Sequence, residues 1–203
     1  MNKEIIKDFF DNLASHWDNE PIADKRIIDV ILDNGGITKD TCVLDVACGT
    51  GVLFPYYLQR NVKSITAIDL SPEMVKIAKS KFPQVDVICG DVENATFHKQ
   101  FDCIMIYNAF PHFPEPLKVI ENLSRALKSG GKFTVAHGMS KKELDEVHSK
   151  SAKKVSNSLL ECNELAKMLS PYYNVDIILR CPIILGYNYR IDHFEFIAKL
   201  ANK

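Results

Sequence analysis

The sequence predicts an α/β protein built on a doubly wound sheet of seven strands, mostly parallel with an antiparallel final strand, and helices on both faces. Three observations predict it. From residue 42 to 137, short apolar runs alternate with amphipathic helical stretches, the pattern of a parallel sheet covered on both sides. The 203 residues suit one large domain, and 46% apolar with 25% charged residues leaves enough apolar mass for its core. No repeat, low-complexity tract or Pro/Gly-rich linker divides the chain.

The elements follow in order. Helical stretches over Lys3–His16 and Ala23–Leu32 precede the first strand and so cap an edge or mouth of the sheet. The first strand is Cys42–Ala47, followed by a glycine turn and a helix over about Val52–Arg60 with Pro55 in its first turn. The second strand is Ser64–Asp69, and Ser71-Pro72-Glu73 opens the next helix with proline at its favoured first position. Strands are expected at Val85–Cys89, Phe101–Tyr107 and Lys132–His137. The helix between the last two, about Glu115–Lys128, sets Ile120, Leu123 and Leu127 on one face and should stop at Gly130-Gly131. A polar helix at Ser140–Lys150, a second near Cys162–Leu169, and closing strands at Val175–Arg180 and Phe194–Leu200 complete the chain. The division is therefore a helical cap at 1–40, a ligand-binding half at 41–137, a helical insertion over the substrate side at 138–172, and closing strands at 173–203.

Charge and cysteine usage narrow the function. Formal net charge is −1, with no basic excess to neutralise phosphates, so nucleic acid is not the expected partner. The lysines from Lys141 to Lys154 are interrupted by Glu143, Asp145 and Glu146 and read as a solvated helix face. Met1–Asp8 carries charges where a secretory signal needs an apolar run, and no stretch approaches the roughly 18 apolar residues of a membrane span. Six cysteines, at 42, 48, 89, 103, 162 and 181, form no C-x-x-C pair. They are expected to be reduced thiols of a cytoplasmic protein, with no zinc site and no disulfide framework.

Three carboxylates at strand ends carry the chemistry. Asp45 precedes Ala47-Cys48-Gly49-Thr50-Gly51, Asp69 ends the second strand, and Asp91 follows the third after Gly90. Parallel strands bind ligands outside their carboxyl ends, so the three line one crevice. Glycine lets a ligand approach the backbone, a carboxylate after the second strand accepts from ribose hydroxyls, and one after the third can accept from an adenine amine. That set points to an adenosine ligand. A dinucleotide fingerprint read from Gly49 and Gly51 needs glycine at 54 and finds Phe54. A pyrophosphate would also meet the acidic first strand, whereas an ammonium-bearing tail tolerates it. S-adenosylmethionine is therefore expected over NAD.

These segments resemble class I S-adenosylmethionine-dependent methyltransferases, whose fold is Rossmann-like. Val43–Gly51 looks like their glycine-rich first motif, Ile65–Met74 like the second and Gly90–Glu93 like the third. Phe101–Ile104 resembles their fourth strand, and Leu127–Gly131 the turn before the fifth. With Phe9–Asp18 included, the flavour is that of the menaquinone/ubiquinone C-methyltransferase-like branch. By position, the resemblance implies that Gly49 and Gly51 flank the methionine tail, with Ala47 and Cys48 in the same turn and Asp45 holding the ammonium. Asp69 would take the ribose hydroxyls, with Leu70 and Met74 beside the adenine, Asp91 and Val92 at its edge, and Asn108 near the reacting methyl. Ala47 replaces the motif's first glycine and demands an unstrained backbone there. Ser129 replaces a frequent proline.

Methyl transfer needs positioning more than acid or base, so catalytic residues leave little trace. His112, His137 and His148 are the candidates. The first two are expected at the substrate side of adjacent strand ends, as a base or an orienting pair, or simply as polar residues at the mouth. A three-histidine metal site is the weaker alternative, and no metal is assigned. Phe110, Phe113 and Trp17 are candidates for walls of a small-molecule acceptor pocket, or for core and lid packing. Tyr187 and Tyr189 have no assigned place. An NAD-linked oxidoreductase and a non-catalytic S-adenosylmethionine-binding protein are the competing functions.

Overall fold

The alternation of β1 (Cys42–Val46) decides which residues reach which side of the sheet. Leu44 and Val46 enter one apolar core, while Val43 enters the other. The same parity holds from Cys103 on in β4 (Phe101–Tyr107): Ile104 and Ile106 join the first core, and Cys103, Met105 and Tyr107 the second. Both faces of the sheet are therefore apolar and both are covered.

The computed structural model describes residues 1–19, 24–174, 183–185, 189–191 and 194–200, with Cys162 and everything from residue 173 on described by backbone alone. The central strands are parallel, in the order β3 (Asp86–Cys89), β2 (Ser64–Asp69), β1, β4, β5 (Leu127–His137). Chain order reverses between β1 and β4, which opens a crevice at their carboxyl ends. Beyond β5 lie β9 (Phe194–Leu200), antiparallel to it, and the two-residue β6 (Tyr173–Asn174), antiparallel to β9. β7 (Ile183–Leu185) and β8 (Tyr189–Ile191) pair as a separate ribbon that includes Tyr189. The expected strand at 175–180, and Tyr187, lie outside the described residues.

Helices α2 (Lys25–Asn34), α3 (Phe54–Gln59) and α4 (Pro72–Lys81) contribute to the second core. Helices α5 (Pro116–Ala126), α6 (Lys141–Ser151) and α7 (Cys162–Leu169) cover the first. Local chemistry fixes several starts. Ser71 caps α4 by accepting from Met74 N–H at 3.1 Å, with Pro72 at the next position. Ser140 and Glu143 form a reciprocal capping box on α6. Val52 and Leu53 stay in the glycine turn, so α3 is shorter than its periodicity predicts.

One expectation fails clearly. Helix α5 ends at Ala126, not near Lys128, and Gly130-Gly131 do not stop it. Leu127 already pairs with Phe101 as the first residue of β5, and the register shifts between Phe101 and Cys103. Gly130 has a left-handed φ of +74°, and a Cβ on Gly131 would meet the Leu127 side chain at 2.9 Å. Sheet pairing overrides the helical periodicity there, and the glycines accommodate the irregular strand.

The N-terminal residues form α1 (Lys3–Leu13) and a 3-10 turn over Ala14–Asn19. They lie across the carboxyl ends of the strands, where Ile6 packs with Ala152 and Val155 from the end of the α6 region.

Candidate functional site

A cavity opens at the carboxyl ends of β1, β2 and β4. Asp45, Ala47, Cys48 and Gly49 line it from the first strand and its turn. Asp69, Leu70 and Met74 line it from the second, and Gly90, Asp91, Val92 and Glu93 from the third. Asn108 lines it after β4, and His112 and Phe113 follow. The sequence-predicted adenosine residues thus meet at one cavity, apart from Gly51, which supports the turn from behind.

The turn is held open by left-handed backbone. Ala47, Gly49 and Gly51 have φ of 55°, 56° and 86°. For Ala47 this corrects the expectation of an unstrained backbone: the Cβ of an L-residue there costs about 1–2 kcal/mol. At Gly51 a Cβ would lie 2.6 Å from the Phe54 ring, so glycine is required on both counts. At Gly49 a Cβ would lie 3.7 Å from Trp17 Nε1, in space facing the cavity.

Two carboxyls sit at the base of this turn. Asp69 accepts the backbone N–H of Gly49 at 2.7 Å through one oxygen and that of Ser71 at 2.9 Å through the other. Burial pushes its pKa up, while these N–H groups pull the other way. Asp45 is 2% exposed. Burial, then the charge of Asp69, pushes its carboxyl up to about 8, with the Tyr57 hydroxyl opposing. A buried carboxyl pair of this kind favours a bound cation.

The N-terminal segment forms one wall through Lys3, Ile6, Phe10 and Trp17. Lys3 Nζ lies 2.6 Å from Asp91 and 2.5 Å from Glu93. Asp11 accepts from Ser71 Oγ at 2.5 Å, and Asp18 accepts from Thr50 Oγ1 at 2.6 Å and Lys81 Nζ at 2.7 Å. Apart from the one to Lys81 at the far end of α4, each contact fastens the segment to a residue in or next to a cavity-lining loop. Sequence reasoning missed Lys3, because 88 residues separate it from Asp91 and no local pattern encodes the pair. It also missed Tyr107, which reads as an ordinary strand aromatic. Its hydroxyl is buried next to the Asn108 side chain.

The three histidines differ. His112 lines the cavity, and its Nδ1 lies 2.8 Å from the Val155 carbonyl. A carbonyl only accepts, so Nδ1 carries the proton and Nε2 is the ring's acceptor. Burial brings its pKa down to about 4, so the ring is neutral at pH 7. His148, on α6, sits behind it with ring centroids 5.0 Å apart and bonds Ser156 Oγ through Nδ1 at 2.6 Å. His137 is 0% exposed and is not on the cavity wall, which corrects its placement at the mouth. The reason is β9: Phe194 pairs with His137, so the strand end expected to face substrate is flanked by another strand. Among the described residues, no group of three or more His, Cys, Asp or Glu is arranged to hold a metal.

Phe113 and Trp17 line the cavity, whereas Phe110 belongs to the core. Phe10 stacks edge-on against both Trp17 and His112, at 5.7 and 5.0 Å. No described residue of 138–172 lines the cavity; that segment backs its wall through the Val155 carbonyl.

The sequence profile of the methyltransferase domain family matches residues 44–135. The malonyl-[acyl-carrier protein] O-methyltransferase of Priestia megaterium is 31% identical over 137 residues, which cover 64% of this chain and 50% of that protein. The demethylmenaquinone methyltransferase of Renibacterium salmoninarum is 32% identical over 133 residues, 63% of this chain and 56% of that one. The chain thus spans about half the length of the curated relatives it matches. The crystal structure of a S-adenosylmethionine-dependent methyltransferase from Clostridium acetobutylicum superposes with a TM-score of 0.67, covering 99% of this chain and 100% of that one. At 18% identity, that likeness is one of fold.

Proposed function

We infer that the activity is methyl transfer from S-adenosylmethionine to a small-molecule acceptor, on the match of residues 44–135 to the methyltransferase domain family and on the relatives above. The observation that carries the assignment is the buried pair Asp45 and Asp69 beneath a turn of left-handed residues. It suits a ligand that brings a cation and a ribose to the same spot, and it disfavours a pyrophosphate.

Asp45 holds the ammonium of the methionine tail, with Ala47, Cys48, Gly49 and Gly51 shaping the turn around it. Asp69 accepts from the ribose hydroxyls, Leu70 and Met74 flank the adenine, and Asp91 and Val92 meet its edge. Asn108 stands near the reacting methyl. Its left-handed φ of 54° is one that asparagine tolerates, and its side-chain oxygen is fixed by Gly138 N–H at 2.8 Å. Bound S-adenosylmethionine supplies an electrophilic methyl group on a sulfonium. The chain's part is to align that group with an acceptor and to exclude water, with the N-terminal segment as the cover. Of the three histidines, His112 alone is assigned contact with the acceptor, while His148 and His137 support it from behind.

The same reading takes residues 1–203 as one methyltransferase domain. Its parts are the cap at 1–40, the cofactor half at 41–137, the helical insertion at 138–172 and closing strands from 173 in a seven-stranded sheet with an antiparallel last strand. The pairing of β9 with β5 supports this. Cys42, Cys48, Cys89 and Cys103 are free thiols, which supports a reduced, cytoplasmic setting. None of the described helices is long and apolar enough to cross a membrane. A net charge of −1 and a carboxylate-lined cavity favour a small molecule over nucleic acid as acceptor.

Calorimetric titration with S-adenosylmethionine, its demethylated product S-adenosylhomocysteine, and NAD tests the assignment. The first two are expected to bind. Tighter binding of NAD overturns it, and binding without turnover across a broad acceptor panel would make the protein a cofactor-binding module.

A further inference from the structure

Away from the residues assigned to the cofactor and from the Lys3–Glu93 ion pair, one stretch of the cavity wall runs through Phe10, Trp17, Val52 and Leu53, with Tyr107, Ala109, His112, Phe113 and Pro114 after β4. This part is apolar and contains no charged side chain among the described residues. The charges of the whole cavity are one-sided. Asp45, Asp69, Asp91 and Glu93 line it, and the one described cation on its wall, Lys3, is already bound to two of those carboxylates. S-adenosylmethionine, with a sulfonium, an ammonium and a carboxylate, adds a net single positive charge and does not reverse that balance. An anionic acceptor would enter an apolar, acid-lined space with no cation left to pair with it.

Two nitrogen-bearing side chains remain on this wall, while the Tyr107 hydroxyl is too buried for a ligand to reach. Trp17 Nε1 faces the glycine turn, 3.7 Å from where a Cβ on Gly49 would lie, and can only donate. His112 is fixed by Val155 and by its edge-on contact with Phe10, and its Nε2 is left as an acceptor. Resting on the methyl-transfer assignment above, we propose that the acceptor is an uncharged, largely apolar and aromatic-compatible molecule that presents a hydroxyl to Nε2 of His112.

The step balances. The lone pair of the acceptor oxygen forms the bond to the methyl carbon, and the carbon–sulfur pair returns to sulfur, leaving a neutral thioether. The hydroxyl proton passes to Nε2. The imidazolium so formed is disfavoured by burial and by His148, whose ring is 5.0 Å away, so it gives the proton up readily to water.

Three probes of one shape test the class: 2-naphthol, 2-naphthoate and 2-methoxynaphthalene, titrated calorimetrically into protein saturated with S-adenosylhomocysteine at pH 7. The naphthol is expected to bind about tenfold more tightly than either the carboxylate or the ether, one hydrogen bond's worth of discrimination. His112→Phe should erase the difference between naphthol and ether while leaving S-adenosylhomocysteine affinity within about twofold. Naphthoate binding as well as naphthol, no naphthol binding at about 1 mM, or an undiminished preference in His112→Phe each overturns the proposal. Failure of S-adenosylhomocysteine to bind in the loading step is a separate result, and it counts against the cofactor assignment itself.

Discussion

Asp69 accepts the backbone N–H of Gly49 at 2.7 Å, so the carboxylate that ends β2 also fastens the glycine turn that follows β1. The carboxylate proposed to hold the ribose and the turn beside it are therefore one unit. Asp69→Ala should weaken S-adenosylmethionine and S-adenosylhomocysteine alike, by about 1.5–3 kcal/mol for the lost charged hydrogen bonds. Asp69→Asn should recover little, because its amide N–H turns a donor toward the Gly49 or Ser71 N–H. Calorimetry on variants whose circular dichroism is native checks this. Unchanged affinity in a folded Asp69→Ala protein removes Asp69 from the site.

Asp45 makes a prediction about protons. Its pKa of about 8 leaves it largely protonated at pH 7 in the free protein. An ammonium placed beside it favours the ionised form, so cofactor binding near neutrality should release close to one proton. Binding enthalpies in phosphate and in Tris should differ by the difference in buffer ionisation heat, and Asp45→Asn should abolish that difference. For stability the sign is the reverse of the usual carboxylate. A pKa raised in the folded state gives stability that is fully present below the unfolded value near 3.9 and lost as pH rises through about 8. The free Asp45→Asn protein should therefore gain in Tm relative to the parent at pH 9 and lose that advantage at pH 5.

Asp45, Asp69 and Asp91 were legible in the sequence because consecutive parallel strands put their ends on one edge, and each strand declares its own end. His137 obeyed the same rule and misled. Nothing in Lys132–His137 reveals that a strand about 60 residues later pairs alongside and encloses its last residue. Leu127 misled in the other direction, since its helical spacing from Leu123 is real but pairing with Phe101 draws it into β5. The contacts of Lys3 and Asp18 join residues far apart in the chain, and no periodicity encodes an ion pair of that range.

The two buried imidazoles predict an acid-sensitive fold and a rate that ignores the ordinary histidine range. Burial brings His112 down to about 4 and His137 to about 3. The unfolded chain takes up these protons near pH 6.5, so below that pH each ring costs about 1.4 kcal/mol of stability per pH unit until its folded pKa is reached. The raised carboxyl of Asp45 acts oppositely between pH 4 and 8, and that of Asp69 acts in the same sense as Asp45, so the test is a difference. Denaturant unfolding of parent and His137→Gln should show a gap that narrows by about 2 kcal/mol between pH 7 and pH 5. A gap independent of pH counts against a neutral buried His137. With saturating cofactor, kcat should show no inflection near 6.5. A break there that disappears in His112→Gln would mean that His112 titrates as an open imidazole.

Removing the N-terminal segment should loosen the cofactor without unfolding the sheet. The two cores that flank the sheet contain no residue before Ile27, and the one buried cluster that includes α1 is small, with Ile6, Ala152 and Val155 at its centre. What fastens the segment is largely polar: Lys3 to Asp91 and Glu93, Asp11 to Ser71, and Asp18 to Thr50 and Lys81. Apart from the pair with the buried Glu93, these contacts are partly exposed and worth about 0.2–1 kcal/mol each, so they hold a cover that can open. Trp17 is the chain's single tryptophan and stands on the cavity wall, so its fluorescence reports the bound state without a label. S-adenosylhomocysteine should shift that emission. The pair Lys3→Met with Asp18→Asn disrupts four of these contacts and should speed cofactor release at least about fourfold in stopped flow, the low end of their sum, and high salt should act in the same direction on the parent protein. Deleting residues 1–18 should leave a cooperative thermal transition with much poorer cofactor retention. If the truncated chain does not fold, or the double variant releases cofactor at the parent rate, the segment is structural packing and not a cover.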